Sequence, residues 1–114
     1  MPSSNMPPED RIRLLHMIEA ADEAMGFVAG QTRADLETDR KTLFAVIRCI
    51  EIIGEAAGKV SDATRESASD VPWTAIVGMR NRLVHAYFDV DADLVWKTTS
   101  IELPALKARL QELI

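Results

Sequence analysis

Apolar residues recur at helical spacing over most of the chain. Leu14, Ile18, Ala21, Met25 and Val28 follow one another by alternating steps of four and three, which places them on one face of a first helix that Gly30 closes. The polar stretch from Gln31 to Thr38 predicts a loop with a turn of helix, and Thr38 or Asp39 is placed to cap the next helix. That second helix, from about Arg40 to Lys59, carries Leu43, Val46, Ile47, Ile50, Ile53, Ala57 and Val60, with Phe44 and Ile52 broadening the stripe. Ser61 to Asp70 is small and polar and predicts a loop with at most one short helical turn. Pro72 opens a third helix bearing Trp73, Ile76, Val77, Arg80, Leu83 and Val84. Phe88 to Asp91 is a break, with Asp91 as cap for a last segment through Leu94, Val95, Ile101 and Leu106, in which Pro104 predicts a kink or a fresh start.

No stretch of useful length alternates with period two, and there is no internal repeat. The expected fold is all-α: an up-and-down bundle of about four or five helices, the first two long and antiparallel. Residues 1–8, rich in Pro, Ser and Asn, are expected to be a disordered tail, leaving 9–114 as one helical domain.

Length and charge narrow the function. A chain of 114 residues that is 47% hydrophobic makes one small domain. A domain this small gains from burying a further apolar face against a second copy, so a dimer is expected. A net charge of -5 with a pI near 5.0 argues against a general nucleic-acid coat protein, so any RNA contact must be local. The single cysteine, Cys49, excludes an intrachain disulfide framework and sits in an apolar pattern, as a core residue would. The apolar runs are far shorter than a membrane span, and no secretory pattern opens the chain, so a cytoplasmic protein is expected.

Few residues could carry chemistry. His16 reads as a boundary side chain of the first helix, and His16, His85 and Cys49 lack zinc-type spacing, so no metal and no cofactor are expected. Phosphate-cradling glycine loops and the GxSxG serine context are absent. There remain Arg80, Asn81, Arg82, His85 and Tyr87 within eight residues. On a regular helix Asn81 and His85 would share a face, whereas Arg80 and His85 would point about 140° apart. Either the helix distorts or ends near His85, or a second chain completes the site across a two-fold axis. The second solution is favoured, with help from the first.

The string Arg80-Asn81-Arg82-Leu83-Val84-His85-Ala86-Tyr87, an Arg-x4-His-x-Tyr pattern, resembles the signature of HepT-type toxins in the HEPN superfamily. The resemblance extends to Glu51-Ile52-Ile53-Gly54-Glu55-Ala56-Ala57, to Pro72 through Met79, and to Tyr87-Phe88-Asp89-Val90-Asp91 and Val95-Trp96. It implies a HEPN-like homodimer and a metal-independent endoribonuclease, the toxin of a type VII toxin–antitoxin module. It further implies a minimal nucleotidyltransferase antitoxin that adds AMP to the motif tyrosine, here Tyr87.

On that reading His85 is general acid or base for attack of the RNA 2′-hydroxyl on the neighbouring phosphate, a role suited to an imidazole whose ordinary pKa is about 6.5. Arg80 holds the phosphate and stabilises the developing charge with its planar donor fork. Asn81 orients the phosphate or His85, and Arg82 is a solvated charge or a backbone-phosphate contact. Glu51 and Glu55, one turn apart, could reach the basic motif, or form a structural ion pair or a solvated edge. Trp73 and Trp96 read as core or interface anchors in preference to base-stacking platforms. The rival from another class is a catalytically inactive helical interaction module that docks a nucleotidyltransferase through its Arg-Asn-Arg cluster.

Overall fold

A computed structural model describes residues 6–86 and 89–114, with the backbone alone for residues 85 and 86. The apolar stripes become helices as their spacing requires: α1 (Pro8–Val28), α2 (Asp35–Thr38), α3 (Arg40–Gly58), α4 (Asp62–Ser67), α5 (Trp73–Val77), α6 (Met79–Leu83), α7 (Ala92–Lys97) and α8 (Leu103–Leu113). α1 and α3 pack along each other as the antiparallel centre, with Leu14, Met17, Ile50 and Ile53 fully buried. Residues 1–5 of the expected tail lie outside the described residues. Pro8 is already the first helical residue, a position where its missing N–H costs nothing, and half-buried Met6 packs on the core.

Polar locks fix both ends of the α1–α3 pair. At one end Asp39 caps α3, accepting the Thr42 N–H at 3.1 Å and the Thr42 hydroxyl at 2.7 Å, while the Gln31 amide donates to the same carboxylate at 3.2 Å. Gly30 turns the chain at φ 78. At the other end Asp10 is only 3% exposed. It accepts hydrogen bonds from the Ser61 N–H at 3.0 Å, the Ser61 hydroxyl at 2.5 Å and the Thr64 hydroxyl at 2.5 Å. Burial pushes this carboxyl upward, but the three donors outweigh it and hold its pKa below the ordinary carboxylate value.

Because the folded pKa is depressed, the stabilisation from Asp10 is fully present above the unfolded value and is lost as pH falls through the folded one. Asp10→Ala orphans two hydroxyls and an amide, and is expected to cost about 1–3 kcal/mol in urea unfolding at pH 7. That cost should shrink once the pH falls below the folded pKa.

Three local departures from the expected elements matter. The segment after Ser61 forms a six-residue helix, α4, more than the single turn expected, because Ser61 caps it and Asp10 anchors the cap. The expected third helix is split at Gly78 (φ -91, ψ 4) into α5 and α6. It then ends at Leu83, because Val84 turns to an extended conformation (φ -120, ψ 104) and enters a strand. β1 (Val84–Ala86) pairs antiparallel with β2 (Asp89–Val90), Val84 opposite Val90 and Ala86 opposite Asp89, with an irregularity between. Asp91 closes this hairpin by donating its N–H to the Leu83 carbonyl at 2.8 Å, and its side chain caps α7 by accepting the Leu94 N–H at 3.0 Å.

At Pro104 the expected fresh start is found: α8 begins at Leu103, with Pro104 in its first turn. A π-helical turn (Thr98–Glu102) joins α7 to α8 in one continuous rod. Proline donates no hydrogen bond and crowds the carbonyl four residues earlier, and the wider turn accommodates both effects. The Thr99 and Ser100 hydroxyls satisfy the Val95 and Trp96 carbonyls at 2.9 and 2.6 Å. The rod is tied to the bundle by Lys107–Asp22 (2.5 Å) and by a two-point pair of Arg109 with Asp70 (2.6 and 3.0 Å). The described residues thus form four main rods, α1, α3, α5–α6 and α7–α8, with two short helices between them: an all-α bundle carrying one two-stranded hairpin. Among the described residues, no helix is long and apolar enough to cross a membrane.

Candidate active site

The motif straddles the junction of α6 and β1. Buried Met79 and Leu83 pin α6 to the core, so the turn between them presents Arg80, Asn81 and Arg82 outward. The α5–α6 segment comes close to α3 because position 54 is glycine. A Cβ there would meet the Ile76 and Val77 carbonyl oxygens at 3.2 and 3.3 Å. This approach opens a cleft of about 450 Å³ beside α3, lined by Glu51, Gly54, Glu55, Val77, Arg80 and Asn81, with Lys59 farther along.

Within the cleft the Arg80 Nε–H donates to Glu51 Oε2 at 3.2 Å. Arg80 is 50% exposed and Glu51 31%, so the pair is worth about 0–1 kcal/mol to stability. The guanidinium is held and open to solvent, as an anion-binding group must be. Glu55, the second acidic candidate, lines the same cleft, but among the described residues its ion pair is with Arg48, at 3.4 Å along its own helix. Arg82 faces a different groove, on the far side of α6, with Met79, Leu103 and Arg109. The one-turn helix therefore sends Arg80 and Asn81 to one side and Arg82 to the other.

His85 lies in β1, beyond the end of α6. The helical arithmetic that put it on a face with Asn81 does not hold, because the helix ends before His85; a single chain does not test the favoured alternative, completion of the site by a second copy. The side chain of His85, and all of Tyr87, lie outside the described residues, so their candidate roles are untouched by this geometry.

The remaining candidates are structural. Trp73 is buried, donating its indole N–H to the Ala68 carbonyl at 3.1 Å, and Trp96 is half-buried on the core. Cys49 is buried, and burial pushes its thiol pKa up, which disfavours the thiolate. His16 is exposed on α1. Among the described residues no cluster of His, Cys, Asp and Glu is arranged to hold a metal ion. Sequence reasoning missed Lys59 as a cleft residue and the spacer role of Gly54. An isolated glycine inside a strongly helical pattern was the available signal for the latter.

An exposed arginine at a helix–strand junction, followed by histidine and tyrosine on a helical bundle, defines a class, and comparison with known proteins gives the same one. The family model described as HepT-like, "Ribonuclease HepT-like", matches residues 17–113. A protein of Thermococcus cleftensis named "Probable ribonuclease HepT" is 38% identical over 100 residues, covering 84% of this chain and 91% of the relative. Relatives named "Putative RNase" are 33% identical over 110 residues in Methanocaldococcus jannaschii (96% of this chain, 91% of the relative) and 35% over 101 in Caldanaerobacter subterraneus (89% and 90%). No solved structure is a significant match. The chain belongs to the HepT-like ribonuclease family of HEPN proteins.

Proposed function

We propose that this protein is a metal-independent endoribonuclease, acting in the cytoplasm as a homodimer and as the toxin of a type VII toxin–antitoxin module. The observation that carries the reading is the Arg80 guanidinium, held at the edge of a cleft yet half-exposed, in a chain of a ribonuclease family. In the reaction, a base removes the proton of the RNA 2′-hydroxyl. The 2′-oxygen attacks the adjacent phosphorus, the 5′-oxygen leaves and is protonated, and a 2′,3′-cyclic phosphate remains. His85 serves the proton transfers, and Arg80 binds the phosphate and its gathering negative charge. Asn81, on the same cleft, orients the phosphate. Positive charge concentrated at one junction suits a protein whose net charge is -5.

A second copy supplies the other half of the site. In support, Phe44 and Val77 are 46% and 45% exposed; Val77 lines the cleft, and Phe44 lies two turns before Glu51 on the same face of α3. Silencing works through Tyr87. Its phenolic oxygen attacks the α-phosphorus of ATP on a partner nucleotidyltransferase, pyrophosphate leaves, and the attached AMP adds bulk and negative charge where RNA phosphate must sit.

The testing experiment is RNA cleavage in EDTA by the purified protein beside Arg80→Ala and His85→Ala. Cleavage lost in both variants is expected, while equal residual cleavage in all three would leave only a docking module for the transferase. For Tyr87, incubation with the partner nucleotidyltransferase and ATP is expected to add the mass of AMP to the peptide containing it. An unmodified peptide, or an adduct that persists in Tyr87→Phe, would refute the silencing step.

A further inference from the structure

We propose that Glu51 is a positioning residue: by accepting the Arg80 Nε–H it aims the two terminal amino groups of that guanidinium at the phosphate. The inference rests on the assignment of Arg80 to phosphate binding. A guanidinium offers five N–H donors, and a phosphate takes them two at a time along an edge. Glu51 touches Nε alone, at 3.2 Å, and among the described residues no other side chain pairs with the Arg80 guanidinium. With Nε engaged, the edge left to an anion is the one formed by the two terminal amino groups of this cleft-lining, half-exposed side chain.

The supports of the two side chains differ. Arg80 rides on a five-residue helix between a glycine break and a strand, whereas Glu51 belongs to a nineteen-residue helix and is flanked by fully buried Ile50 and nearby Ile53. The rigid element therefore fixes the group on the small one. Exposed pairs contribute little to stability, so holding the fold is a poor account of this contact. The carboxylate also weakens the attraction of the cleft for RNA, since it partly neutralises the arginine. A group that lowers ground-state binding while fixing donor geometry should show its effect in kcat, with KM unchanged or lowered on its removal.

The test is steady-state cleavage of a short RNA in EDTA by wild type, Glu51→Ala, Glu51→Gln, Arg80→Ala and the Arg80→Ala/Glu51→Ala double variant, with thermal unfolding of each. Glu51→Ala is expected to lower kcat by roughly ten- to a hundredfold without raising KM or changing Tm. Glu51→Gln keeps an acceptor for Nε–H and should recover most of kcat, with KM lowered by loss of the negative charge. The double variant should be no worse than Arg80→Ala. Wild-type kcat in Glu51→Ala, or a further loss in the double variant, would overturn the inference while leaving Arg80 in place. Cleavage unaffected by Arg80→Ala would remove the phosphate-binding assignment and this inference with it.

Discussion

Alanine in place of Arg80 or His85 is expected to reduce RNA cleavage by roughly a hundred- to ten-thousandfold. Each removes one of the two functions that the chemistry needs: charge stabilisation at the phosphate and proton transfer at the 2′- and 5′-oxygens. For Arg80 the loss should be cleanly catalytic. Its side chain is 50% exposed and, among the described residues, paired only with half-buried Glu51, so its removal opens no cavity, and unfolding should stay within about 0.5 kcal/mol of wild type. Arg80→Lys preserves charge but not the planar fork, and should recover only part of the activity. Kinetics of the three variants beside their urea denaturation curves check this. An Arg80→Ala protein that unfolds more easily and cleaves normally would assign the residue to the fold.

Gly54→Val is expected to have the largest effect on stability, and to reach the site from behind. The first added carbon already lies 3.2 and 3.3 Å from two backbone carbonyl oxygens of α5, which cannot rotate aside as a side chain would. Better helix propensity returns only part of the cost, because valine is a modest helix former. Overpacking of this kind costs about 1–3 kcal/mol. It also pushes α5 away from α3, and with it the adjoining α6 that carries Arg80, so the Glu51–Arg80 contact should lengthen. Urea unfolding and cleavage should therefore decline together. A stable, fully active Gly54→Val protein would show that the close approach is dispensable.

The long rods were legible because their information is local and repeated. The stripe from Leu43 to Val60 has one helical solution, and Asp39 and Asp91 announced the starts of α3 and α7 as capping residues do. The stretch from Gly78 to Val90 was less legible, since tertiary contacts decide it. Val84 carries a helix-compatible spacing, but its pairing with Val90 and the Asp91–Leu83 hydrogen bond end the helix one residue before it. Glu51 and Glu55 are chemically alike, and one turn of sequence could not distinguish the partner of Arg80 from that of Arg48. The conflict between Arg80 and His85 was visible as an angle, and it marked the place where regular structure gives way.

The central claim is that Arg80 and His85 cut RNA without a metal. Its most direct test is the chemical nature of the ends produced from a defined RNA by purified protein in excess EDTA, read by mass spectrometry, with Arg80→Ala as control. The expected result is a 2′,3′-cyclic phosphate on one fragment and a free 5′-hydroxyl on the other, both absent with the variant. Cleavage that stops in EDTA, or that leaves a 5′-phosphate, would contradict the account.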